Sequence, residues 1–164
     1  MHISDEKTEF TASVAAWPAP LELKQQNGEV FVTLLQHDNY IEAKWTGHIT
    51  ANDVITACKA YLEVIQRHPC PGMLNNKSEV TGDWAEANDW IEFEWLPKAM
   101  YAGLRCLAHI YSSNMFSRLS ARDLYLRVTP RLQMKNFMDH DTAIHWIQTH
   151  LTSTGEETQP APQV

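Results

Sequence analysis

The chain has 164 residues, 44% of them hydrophobic and 20% charged, an ordinary composition for one globular domain that buries its core without disulfides or a structural metal. Its net charge of −7 excludes duplex nucleic acid as the main partner, because phosphate binding needs a positive footprint. No stretch approaches the roughly 20 apolar residues of a membrane span, and the opening MHISDEKTEF lacks the apolar run of a signal peptide, so a cytoplasmic protein is expected.

Residues 1–19 are polar or Ala/Pro-rich and predict a loosely held lead-in, with Trp17 docking on the body. Leu21 to Gln26 predicts a first strand. Asn27-Gly28 is a favoured tight-turn pair, and Val30 to Gln36 is a second, β-branched strand. Tyr40 to Thr46 alternates, with Ile41, Ala43 and Trp45 on one face and Glu42 and Lys44 on the other, which predicts a half-exposed antiparallel strand ending at Gly47.

Thr50 and Asp53 form the start signal of a helix, in which Val54, Cys58, Tyr61, Leu62 and Ile65 make one apolar stripe. His68-Pro69 ends it, because the residue before proline is pushed out of the helical region. Gly72 to about Asn76 predicts a short buried strand, then a polar loop, then a helix from Asp83 to Leu96. On that helix Trp84, Ala87, Ile91 and Trp95 share the core face. Trp90, Phe93, Leu96 and Met100 are surplus, and either pack on a neighbouring helix, meet a second copy, or line an apolar cleft. Pro97 is expected to break the helix. Leu104 to Tyr111 is a strand. Ser113 or Asn114 caps a third helix, whose apolar residues are Met115, Phe116, Leu119 and Leu126. Leu132 to Phe137 is the last strand. Asp139 caps a final helix with Ala143, Ile144, Trp146, Ile147 and Leu151 on its apolar side, and residues 152–164 predict a disordered tail. The order βββαβαβαβα is an α/β fold with a mixed sheet, and right-handed crossovers collect the helices mainly on one face.

Catalytic signatures are missing from the pattern. His140, His145 and His150 are five apart and diverge by about 140° on a helix, so they do not converge on a metal. Cys58 and Cys106 read as buried thiols in a reducing compartment, and Cys70, between Pro69 and Pro71, as the one exposed thiol. Glu86, Asp89, Glu92 and Glu94 read as a solvated helix face, and Arg118, Arg122, Arg127 and Arg131 as ion-paired surface or an anion-binding patch.

Three motifs carry a family resemblance. They are the LNN-x-x-x-x-x-G-x-W stretch from Leu74 to Trp84, the run LPKAMYAGLRCLAHIYS with Pro97, Gly103 and Ala108, and the ending NFMDHDTAIHWI with Phe137, Asp139, Ala143, Trp146 and Ile147. Over residues 21–151 the chain resembles the STAS/SpoIIAA-like family, the fold of anti-sigma-factor antagonists, related to Sec14-type lipid-binding domains. Antagonist members carry an Asp-Ser-Ser/Thr-Gly phosphoswitch before the second helix. This chain has Ser78-Glu79-Val80-Thr81-Gly82-Asp83 there, so no phosphoswitch is expected.

The resulting expectation is a non-enzymatic regulatory or protein-interaction module with no cofactor and no metal. It would dock a protein partner or a second copy through Ser78, Thr81, Asp83, Trp90 and Phe93. The alternative is an apolar small-molecule or lipid-binding domain, with Leu96 and Met100 lining the cleft and Arg118 or Arg122 meeting an acidic headgroup.

Overall fold

The structure, a computed structural model, describes residues 10–158, with side chains described to residue 152. Six strands form one mixed sheet in the spatial order β1-β2-β3-β4-β5-β6. They are β1 Leu21–Lys24, β2 Val30–Gln36, β3 Tyr40–His48, β4 Gly72–Thr81, β5 Cys106–Ile110 and β6 Gln133–Phe137. The first three pair antiparallel, joined by short turns. From β3 onward each pair is parallel, so each connection must cross over the sheet. Right-handed crossovers between neighbouring strands place every connection on the same side. That side carries helix α1 (residues 10–15), α2 Ala51–Arg67, the helical run 85–101 and α5 Met115–Val128 over the main core. The helix α6 His140–Thr158 crosses the opposite face against Tyr40, Leu74, Cys106, Ala108 and Phe137.

The α/β class and all six predicted strands are present, and the differences have local causes. The lead-in is not loose: α1 buries Phe10 and Val14, and Trp17 is buried with its Nε1 donating to Gln36 Oε1 at 3.1 Å. Residues 1–9 lie outside the described residues. Gly47 does not end β3. At φ +86 it bends the strand, which runs on to His48 and pairs β4 as far as Thr81. Glu42 is buried rather than exposed, because the start of α6 covers its face of the sheet. Cys70 is buried too, within reach of Gln36 Nε2 and Gly72 O. The C-terminal segment expected to be disordered extends α6 to Thr158, since each polar residue adds a backbone hydrogen bond without a new nucleation cost. Residues 159–164 lie outside the described residues.

Pro97 does not break its helix. Residues 85–101 are continuous: a 3-10 turn Ala85–Ala87, α3 Asn88–Trp90, a π turn Ile91–Trp95 and α4 Leu96–Tyr101. Leu96 N–H donates to Ile91 O, five residues back. The wider turn relieves the clash that a proline ring makes with the carbonyl four residues earlier in a regular helix. It also carries the core face past its expected limit. Trp84, Ala87, Ile91 and Trp95 are buried as expected, and Leu96 joins them.

The third crossover helix is turned over. Its expected apolar face, Met115, Phe116, Leu119 and Leu126, is 56–68% exposed. The buried side is Ser117, Ser120, Ala121, Leu124 and Val128. The reason is close approach. Trp84 Nε1 donates to Ser117 Oγ at 3.0 Å and Trp84 N–H to Ser120 Oγ at 3.1 Å, while Asn88 Nδ2 donates to Ser120 O. Only small side chains let a helix sit this near the turn before α3, and their hydroxyls serve polar groups that would otherwise be buried without partners.

Candidate functional site

Two places stand out, one inside the main core and one on the surface of α5. The interior place is built by β3 and β4. Lys44 pairs Asn76 and Thr46 pairs Glu79, so Lys77 and Ser78 together oppose Trp45. This is a bulge, a device that re-aims side chains. It brings both Lys77 and Val80 to the helix-covered face, and Lys77 is only 1% exposed. Its Nζ lies 3.4 Å from the centroid of the Trp84 ring and 4.5 Å from that of Trp45. Among the described residues no carboxylate pairs with it. Burial lowers its pKa from the usual 10.5 to about 7, with a small opposing contribution from Cys58, itself pushed up to about 12 by burial.

A chain of hydrogen bonds borders the amine. Trp45 Nε1 donates to Asn75 Oδ1 at 2.6 Å, which turns the Asn75 amide nitrogen toward His109 Nδ1, 3.2 Å away. That nitrogen therefore accepts, and the imidazole proton sits on Nε2, which has no partner among the described residues. Burial, with Lys77 adding to it, holds His109 well below the usual histidine range and so keeps it neutral. Beside the amine is a cavity of about 30 Å³ walled by Trp45, Trp84, Ile91, Trp95, Leu96 and other apolar side chains. Room of this size admits roughly two to three water-sized atoms, far short of a lipid.

The surface place is the outer face of α5. Arg127 is bound to Asp123, Asp89 and Glu92, and Arg131 to Glu92. Asn88 and Arg127 hold the Asp123 carboxyl below its usual range. Arg118 and Arg122 have no carboxylate partner among the described residues. Arg118 stacks on Tyr111 at 4.9 Å with its Nη2 near Met138 Sδ, and both arginines line a shallow groove with Tyr111, Ser113, Met115 and Leu119.

The sequence-derived candidates distribute unevenly over these places. Leu96 lines the Lys77 cavity, but Met100 lies outside it, 37% exposed. Arg118 and Arg122 face the surface groove and not the cavity, so the cleft and its expected headgroup contacts are not one site. Ser78 and Thr81 sit in β4 rather than in a loop. Ser78 Oγ donates to Asn76 Oδ1, Thr81 Oγ1 lies 3.1 Å from His48 Nδ1, and Asp83 Oδ1 accepts from Ala85 N–H. Trp90 is half-buried against the core, which leaves Phe93, 62% exposed, as the single outward aromatic of the expected pair. Lys77 was missed because a lysine between Asn76 and Ser78 reads as loop. The helical spacing of Ser117, Ser120, Ala121, Leu124 and Val128 is the signal that could have assigned the outer face of α5.

The described residues contain no group of three or more His, Cys, Asp or Glu placed to hold a metal ion, and no helix long and apolar enough to cross a membrane. No protein-family model matches the chain, and no curated protein is similar to it.

Proposed function

We propose that the chain is a non-enzymatic docking module that binds an acidic, apolar-anchored segment of a protein partner on the outer face of α5. One observation carries the reading: Met115, Phe116, Leu119 and Leu126 are each more than half exposed on one helix, bordered by Arg118 and Arg122, which have no carboxylate partner among the described residues. Apolar side chains gathered on one surface mark interaction sites more often than singly scattered ones do. The arginines choose the partner's charge. An anionic membrane gains only about 1 kcal/mol per basic residue, and two arginines do not outweigh a net charge of −7. A peptide brings its carboxylates to Arg118 and Arg122 alone and avoids the rest of the acidic surface. The STAS/SpoIIAA-like resemblance belongs to the same proposal. Its support is the sequential mixed sheet with helices mainly on one face.

Magnitude sets the affinity class. Burying four such side chains yields about 2 kcal/mol each, and association costs at least about 4 kcal/mol, which leaves at most about 4 kcal/mol, weak and reversible binding in the millimolar range. The test uses a synthetic amphipathic helix with leucine anchors flanked by glutamates, titrated into methyl-labelled protein. Expected are shifts confined to Met115, Leu119 and Leu126, and loss of binding when lysines replace the glutamates. Equal binding of both peptides, or preferential binding to anionic vesicles, would overturn the reading.

A further inference from the structure

We propose that the cavity at Lys77 is a capture site for a small uncharged aldehyde or ketone, which the Nζ amine holds as an imine. The inference is independent of the α5 surface and rests on which groups face the cavity and which of them are already engaged. Trp45 Nε1 is committed to Asn75, Trp84 Nε1 to Ser117 and Trp95 Nε1 to Cys58 O. The Asn75 amide spans Trp45 and His109. Apart from the Cys58 thiol, Lys77 Nζ is the remaining polar group among the residues that line the cavity, and its neighbours are two indole faces, whose attraction for the protonated form burial opposes, rather than a carboxylate.

Three features make this amine a nucleophile rather than a structural cation. Surrounded by apolar walls, it is shifted by burial toward the neutral form that carries a free electron pair. The titratable groups that face it, Cys58 from α2 and His109 from β5, are both held neutral by burial, so neither supplies a counter-charge. The bulge that aims Lys77 inward and the π turn that supplies Ile91 and Trp95 to the cavity wall are both departures from regular structure that occur preferentially at functional sites.

The walls then define the ligand. A volume of about 30 Å³ limits it to two or three non-hydrogen atoms around the carbonyl. Carbon dioxide would fit, but its product is a carbamate anion, and the weak Cys58 S–H donor on the cavity is poorly suited to receive that charge. An imine is neutral and suits the site. The Nζ electron pair attacks the carbonyl carbon and the carbonyl π electrons pass to oxygen, which takes a proton. The carbinolamine then loses that oxygen as water while nitrogen gives up its remaining proton. Amine plus carbonyl gives imine plus water, and no oxidant or reductant is consumed.

The test treats the full chain at pH 7 with acetaldehyde and cyanoborohydride, which reduces an imine to a stable ethylamine, and maps the lysines by mass spectrometry. An exposed lysine is neutral in about one molecule in 2,500 at this pH, so burial gives Lys77 an advantage in reactive form, part of which restricted entry removes. The expected result is labelling of Lys77 at least about tenfold faster than the exposed Lys24, Lys44, Lys98 and Lys135, with the ratio falling as pH rises toward 10. Benzaldehyde, too large for the cavity, should show no such preference, and urea-unfolded chain should lose it. Labelling of Lys77 no faster than the exposed four, equal preference with benzaldehyde, or a preference that survives unfolding would each overturn the proposal.

Discussion

Replacing Lys77 by methionine should flatten the pH dependence of stability between pH 7 and 9.5 and stabilise the protein most at the low end of that window. Methionine is unbranched, flexible and uncharged, and it fills the same channel between Trp45 and Trp84. In the unfolded chain Lys77 titrates at its usual 10.5, and in the folded chain at about 7. Between these values the unfolded state binds the extra proton, so wild-type stability rises with pH through the window and is lost again as pH falls toward 7. Each unit is worth 1.36 kcal/mol, which makes the full interval worth about 5 kcal/mol and the accessible part from pH 7 to 9.5 about 3 kcal/mol. Other titrating groups are common to both proteins, so the difference between them isolates Lys77. Urea unfolding of wild type and Lys77→Met at pH 7, 8, 9 and 9.5 measures it. The variant should lead at pH 7 and lose about 3 kcal/mol of that lead by pH 9.5. A gap that stays constant across the series would refute the buried, unpaired amine, and with it the electrostatic argument for the cavity.

Three further outcomes test the packing and the docking face. Leu119→Glu with Leu126→Glu should leave urea stability within about 1 kcal/mol, because both side chains are already exposed, while abolishing binding of the acidic peptide in the same titration. Ser117→Ala should cost about 1–3 kcal/mol in urea unfolding, since it leaves the Trp84 indole N–H buried without an acceptor. Gly82→Ala should be the most damaging of the set, by several kcal/mol in thermal unfolding, because φ is +117 and a Cβ would collide with the Ile49 carbonyl oxygen.

Sequence patterning reached the strands and the Trp84–Trp95 stripe because each is a local signal, a run of β-branched residues or an apolar repeat that needs no knowledge of neighbours. It failed where a neighbour decides. Glu42 alternates like an exposed residue, yet the start of α6 covers it. Pro97 is a breaker in a regular helix, and the π turn five residues wide admits it. Lys77 and Ser78 look like loop residues because the bulge that folds them into β4 exists only in the pairing with Trp45. The candidate site was less legible than the fold for the same reason. The amine gains its chemistry from walls contributed by β3, α2, the 84–96 segment and α5, none of which is adjacent to it in the chain.

The inverted α5 bears most directly on function. Satisfying Trp84 and Asn88 explains why serines and an alanine face inward, but it places no demand on the opposite face. A helix that needs only solubility there would carry lysine and glutamate. This one carries Met115, Phe116, Leu119 and Leu126 with two arginines that have no carboxylate partner among the described residues, whereas Arg127 on the same helix and Arg131 just beyond it are tied to carboxylates. Folding does not require those apolar groups, and exposure makes each an aggregation liability. Their presence is accounted for by an occupant that buries them part of the time. The weak affinity derived from their burial is what a reversible docking surface needs, since a tighter interface would require a larger and more continuous apolar face than these four side chains supply.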